Sequence, residues 1–350
     1  TLYKSDPNYV PYMRRDYKRT IKKLILNDKS YTGLLAMDES GQVLARILFT
    51  IDKNKQLHTE KCGFFCMYEC VDDKNVSHAL LARMKELLTE DGAEYISGTY
   101  FPHDPDNRRG IMVKGFERAP LILTSYNKPY YASQFEEFGF VKQTDAVEYT
   151  LIRDEDRVSR LHKLAKYVNR HCDIRIDKVD LKHPDDDIHD VHTIMSAAEN
   201  EIIYQEAPSE TQLHNILSGW KNFLEPDYIM IARRNSDDAP IGFLMAIPDY
   251  FELFRLARGR MDIRGLFILL FGRKRIKSIR GILQYVIPEY QNKGIIASLI
   301  AELCNMVDKH GIDYIEAGTM MENNSAARSV IESSGGELSR IYRIYYMSLK

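Results

Sequence analysis

One short stretch constrains this chain more than any other. An apolar, strand-like run from Gly281 to Ile287 meets the turn Pro288-Glu289-Tyr290-Gln291-Asn292-Lys293-Gly294 and passes directly into a helix-patterned run from Ile295 to Lys309. Apolar spacing changes from strand-like to helical across the turn. Gly294 supplies no side chain at the helix start, so main-chain N–H groups face outward at the positive end of the helix dipole. Such a turn suits a diphosphate.

Similar punctuation continues to the C-terminus. Gly311 breaks the helical pattern, Tyr314 to Thr319 reads as a short buried strand, and Glu322-Asn323-Asn324-Ser325-Ala326-Ala327 begins another helix. That helix stops at Gly335-Gly336, and the alternating run Leu338 to Leu349 predicts a closing strand.

Gln291-x-x-Gly294 after a strand, followed by Asn324, Ala327 and Gly335 at these spacings, resembles the GNAT superfamily of acyl-CoA N-acyltransferases. Ile296 stands where that family's loop has Gly or Ala, and Ile331 where it usually has Tyr. The resemblance implies acetyl-CoA or a longer acyl-CoA as co-substrate. It places the diphosphate on Gln291, Asn292, Lys293, Gly294, Ile295, Ile296 and Ala297, and the pantetheine along Tyr285, Val286 and Ile287, with Asn324 nearby. It implies amide formation on a small-molecule, lipid or peptide amine. Glu316 is the favoured base and Glu322 the next; Tyr345, with Tyr342 and Tyr346, is a substitute for the missing acid at Ile331.

The first half repeats this outline. Strands are expected at Tyr31 to Ala36, Val43 to Ile51 and Gly63 to Cys70, a helix at Val76 to Leu88, and a strand at Tyr95 to Thr99. A helix at Tyr130 to Phe138, Gly139-Phe140 and a strand at Ala146 to Ile152 complete it. The expected fold class is therefore α/β (α+β): two GNAT-like domains in tandem, each a mixed central sheet flanked by helices. The first spans 1–152, a helical linker 153–172, and the second 173–350 with an insertion at 248–280. Val71-Asp72-Asp73-Lys74-Asn75 replaces the glycine turn in the first half, and its two acids repel an anion, so that half is expected to lack a CoA site. Nearly the whole chain resembles bacterial tandem GNAT-like proteins, through Gly41-x-Val43-x-Ala45-Arg46, Gly115-Phe116, Tyr130-Tyr131 and Tyr342-Arg343-x-Tyr345 among others.

Composition narrows the rest. With 350 residues, 44% of them hydrophobic, the chain can fill two cores. A formal net charge of −2 gives no general attraction to nucleic acid. No run approaches the ~20 apolar residues of a membrane span, so a cytoplasmic protein is expected. In the insertion, apolar Leu266 to Phe271 lies beside Arg273, Lys274, Arg275, Lys277 and Arg280, which reads either as a lid or as a peripheral membrane contact over 266–280.

Cys62, Cys66 and Cys70 would share one face of a regular strand, as reduced core residues rather than zinc ligands. His183, His189 and His192 among Asp185, Asp186, Asp187 and Asp190 read chiefly as a helix start, and no metal is expected. Three classes of function stand: an acyl-CoA N-acyltransferase, a catalytically degenerate binding protein of the same fold, and a Fem-type aminoacyl-tRNA-dependent transferase. The near-neutral charge argues against the third.

Overall fold

The computed structural model describes every residue except 1, 12–13, 28, 52–60, 100–107, 153, 199–206, 222 and 259–262. Arg153, where the expected linker begins, and residues 259–262 of the expected insertion therefore lie outside it.

Each half is built on the same plan. In the first, β1 (Thr32–Met37), β2 (Val43–Ile51) and β3 (Cys62–Cys70) form an antiparallel meander. Helix α1 (Arg14–Ile21) precedes this meander, helix α2 (Lys74–Glu90) carries the chain over to β4 (Tyr95–Gly98), which runs parallel to β3, and α3 (Tyr131–Phe138) follows later in the same half. In the second, β7 (Ile174–Lys178), β8 (Ile229–Arg234), β9 (Pro240–Pro248) and β10 (Ser278–Val286) are antiparallel neighbours. Helix α9 (Ile295–His310) crosses over to β11 (Tyr314–Met321), parallel to β10. One parallel pair per half, each closed by a helix, is the repeat that the sequence shows.

The closing strands break this independence. Strand β6 (Val141–Ile152) leaves the first half and lies beside β11, while β12 (Glu337–Ser348) ends the chain beside β4. The two pair with each other along most of their length. The order is β1-β2-β3-β4-β12-β6-β11-β10-β9-β8-β7 in one sheet, with β5 (Ile111–Lys114) also on β12. Each half thus takes its last strand from the other, and a cut near 153–172 divides the chain but not the sheet.

Helices cover both faces. The apolar stripe of α9, including Ile295, Leu299, Leu303 and Val307, packs with Met230, Leu244 and Ile279 of the sheet. Helix α4 (Glu155–His171), inside the expected helical linker 153–172, lies against α9. On the opposite face α5 (Asp185–Ala197) packs on β9, and α6 (Glu210–Trp220) begins in a Ser209/Gln212 capping box. Leu121 to Leu123 of the first half reach across this face, where Ile122 enters the same core as Phe243 and Ile247.

The three strand cysteines depart from the expectation. Met67 has φ 51° and the β2–β3 register slips there, so the side-chain alternation inverts past the bulge. Cys66 packs with Leu24 and Leu48, whereas Cys70 joins Phe65 and Leu81 in the other core. Burial pushes the Cys66 thiol well above its ordinary value.

Candidate active site

The parallel pair β10–β11 is in register only from Ser278 opposite Tyr314 to Gly281 opposite Ala317. Beyond Gly281 the strands part, and residues 281–285 are half-buried on both faces. Main-chain groups that a continuous ladder would pair are left open to a ligand here. The gap leads to the turn before α9. There Asn292 and Gly294 both adopt left-handed conformations, φ 59° and 84°, and Gly294 caps α9 without any side-chain bond to its first turn. First-turn amides have no intrahelical acceptor, so this end offers main-chain donors of the kind that suit an anion. In the first half the matching amides are taken: Asn75 N and Val76 N donate to the Asp73 carboxylate at 2.8 and 3.3 Å.

A cleft of about 1130 Å³ runs from this turn along α9. Tyr285, Val286, Gln291, Asn292, Gly294, Ile295, Ile296 and Ala297 all line it, as does Asn324. Ile296 forms part of the wall and leaves the cleft open. Gln291 folds back, its Nε2 donating to Val286 O at 3.3 Å. Two residues of the expected set stand outside the lining. Ile287 donates its N–H to Ile241 O at 2.9 Å, and Lys293 holds its Nζ 4.8 Å from the centre of the Tyr290 ring. Asn324 spends its Oδ1 on Ala327 N at 3.1 Å, capping α10 (Ser325–Ser333).

None of the three expected catalytic side chains lines this cleft. Glu316 points to the other face, where it is fully buried; Thr150 Oγ1 donates to its Oε2 at 2.7 Å and Arg340 Nη1 lies 3.3 Å away. Burial raises its carboxyl, with the Arg340 charge acting in the opposite direction. Sealed in this way, it is shut off from the cleft. Glu322 is held by Lys142 Nζ at 2.7 Å and Asp145 N at 3.0 Å. Tyr345 is buried in the core of the first half, against Phe135, and its hydroxyl donates to Glu136 at 2.8 Å. The strand exchange explains that displacement: β12 seats Tyr345 opposite Gly98, and β6 separates β12 from β11. Ile331 is buried in the core beneath α9.

The residues missed by sequence reasoning belong mostly to α4, which is a wall rather than a spacer. Arg157, Val158, Arg160, Leu161 and Leu164 line the cleft opposite Ile300, Cys304 and Val307 of α9 and Val330 of α10. Val158, Leu161, Ala165 and Val168 recur at helical spacing, the signal that could have identified a packed helix. At the far end of α4, Val168 packs so closely on Gly294 that an added Cβ there would lie 2.8 Å from Val168 Cγ2. Gly294 therefore serves the approach of α4 as well as the turn. Among the described residues, the carboxylates that line the cleft are Asp154, Asp308 and Asp313. Asp308 is about 21 Å from Gly294 by helical rise, at the opposite end.

The candidate metal cluster resolves into structural pairs. His189 Nδ1 is 2.8 Å from Glu210, His192 Nδ1 is 3.0 Å from Pro208 O, and Asp187 and Asp190 both bind Arg233. Among the described residues no group of three potential ligands converges.

Residues 189–335 match the Acetyltransferase (GNAT) family. Over 99% of its length the chain is 26% identical to Protein YghO of Escherichia coli, covering 90% of that protein. It is 22% identical, again over 99% of its length, to a bacterial ceramide synthase of Caulobacter vibrioides, covering 92% of it. Among solved structures, a tandem GNAT protein from the clavulanic acid biosynthesis pathway superposes with a TM-score of 0.54 at 10% identity, over 94% of this chain and 86% of that one.

Proposed function

We propose that this chain, which carries a GNAT-family domain over residues 189–335 within a tandem GNAT fold, transfers a long acyl group from coenzyme A to a primary amine. The observation that carries the reading is the cleft itself. It joins bare amides at Gly294 and an open strand edge after Gly281 to a wall of Val158, Leu161, Leu164, Ile300, Val307 and Val330. The first two features suit a diphosphate and a pantetheine; the third suits hydrocarbon. The likeness to a bacterial ceramide synthase favours a fatty acyl donor and a lipid amine over acetyl transfer to a peptide.

In this reading the neutral amine nitrogen attacks the thioester carbonyl carbon, the C–S bond breaks, and the amide and the free thiol leave. The protein contributes by holding the two reactants together and by directing amides of the parted strands at the carbonyl oxygen as charge develops there. The cleft carboxylates lie near the far end of α9, so the ammonium proton passes to solvent before attack, and the proton that the nitrogen sheds as the amide forms goes to the departing thiolate.

Two measurements test this. CoA thioesters from acetyl to stearoyl are expected to raise the melting temperature, with the shift growing as the chain lengthens. Free thiol is expected to appear when a long-chain amine is added. Leu161→Trp should move the preference to shorter chains by filling the wall. No shift with any thioester sinks the donor assignment; a shift without thiol release would leave a CoA-binding protein and no transferase.

A further inference from the structure

The helical insertion carries a surface that the transfer reaction does not use. Helix α7 (Phe251–Ala257) is anchored: Phe251, Leu253 and Phe254 are buried, and the Glu252 carboxylate accepts from Lys277 N, Ser278 N and Ser278 Oγ at 2.7 to 3.2 Å. Helix α8 (Ile263–Phe271) packs on α7. Ile268 and Leu269 turn toward the core, while Ile263, Phe267, Leu270 and Phe271 are 90%, 61%, 62% and 67% exposed. Those four recur at i, i+4, i+7 and i+8, so they form a single outward stripe. A surface helix normally presents polar groups there.

Exposed cations flank the stripe. Arg255 and Arg258 sit at the end of α7, and Arg273, Lys274 and Arg275 follow α8 directly. Among the described residues no carboxylate pairs with Arg255, Arg258, Lys274 or Arg275. Nine residues span about 13 Å, under half of a bilayer's hydrocarbon core, so α8 does not cross a membrane. An apolar stripe with a basic flank is instead the pattern of a helix that lies in the interface of an anionic bilayer. A second copy is a poorer occupant, because a twofold contact through this patch would set the cations of one copy against those of the other.

We infer that α8 and the basic turn Arg273–Arg275 dock the protein on anionic lipid surfaces. The patch lies at one end of the sheet with the far end of the cleft: Lys277, just past the basic turn, accepts from Asp313 N at 2.8 Å, and Asp313 lines the cleft. This extends the lipid-amine reading but is tested apart from it, since docking requires no CoA.

The test is co-sedimentation of the full chain with vesicles of phosphatidylcholine alone or with 30% phosphatidylglycerol. Binding is expected only to the anionic vesicles, at least tenfold weaker at 500 mM than at 50 mM salt. Phe267→Ser with Phe271→Ser should abolish it, and Lys274→Glu with Arg275→Glu should weaken it tenfold or more. All four substitutions should leave the melting temperature and the CoA-dependent shift unchanged. Absence of binding at 50 mM salt, or binding that survives both pairs of substitutions, overturns the inference. So does self-association in solution that Phe267→Ser with Phe271→Ser removes, which would assign the stripe to a second copy.

Discussion

Replacing Gly294 with alanine places a methyl carbon 2.8 Å from Val168 Cγ2 while holding a residue with a side chain at φ 84°. The left-handed conformation costs roughly 1–2 kcal/mol for a non-glycine residue. Overpacking against a buried, stiff valine adds about 1–3 kcal/mol. The variant should therefore lose roughly 2–5 kcal/mol. Val168→Ala alone should lose about 2 kcal/mol, from the two carbons removed and the space left behind. Combined, the changes should be less costly than their sum by at least ~1 kcal/mol, because the second makes room for the first. Urea unfolding of the wild type, the two single variants and the double variant measures this coupling directly. Costs that add to within about 0.5 kcal/mol would show that α4 does not seat on the turn, and the account of α4 as a wall of the cleft would fail with it.

Other expectations follow from the placement of individual groups. Tyr345→Phe should leave turnover unaltered and cost about 1 kcal/mol of stability, since its hydroxyl serves Glu136 in the first-half core. Glu316→Gln should destabilise by about 1–2 kcal/mol, through loss of one of the two carboxylates that face Arg340, Glu148 at 3.5 Å being the other, without moving the pH–rate profile. Asp249, buried and accepting from Ile122 N and Phe251 N, has its carboxyl pushed up to about 7 by burial. The native state then binds more protons than the unfolded one between the usual value of 3.8 and 7, so stability falls as pH rises through that window. Asp249→Asn should flatten this fall, closing a gap on the order of 2–4 kcal/mol between pH 4 and 8 in denaturant titrations; a profile identical to the wild type would show that the group is not protonated in the fold.

Local grammar made much of the molecule legible in advance. The turn at Gly294, the cap at Asn324, the stop at Gly311 and the repeated order of elements are all written in glycines, caps and apolar spacing, which act over a few residues. From them came the tandem fold and most of the cleft residues on β10 and α9. The carboxylates and the tyrosine lie off the cleft because proximity along a motif is not proximity in space. Glu316 looked available beside the parted strands, yet strand alternation turned it to the face where Arg340 and Thr150 close around it.

Two features belong to the tertiary structure alone. The exchange of β6 and β12 has no local signature, since either strand satisfies its backbone bonds equally well in its own half or in the other. Hydrogen-bond ladders record which edge is filled, not which segment fills it. The same holds for α4: its apolar stripe demands a partner, but only the path from β6 to β7 brings that stripe to α9 and makes a connecting segment part of the site. The sequence by itself determined which elements form and where a glycine turn opens a helix start; the long-range path of the chain decided which side chains surround that turn.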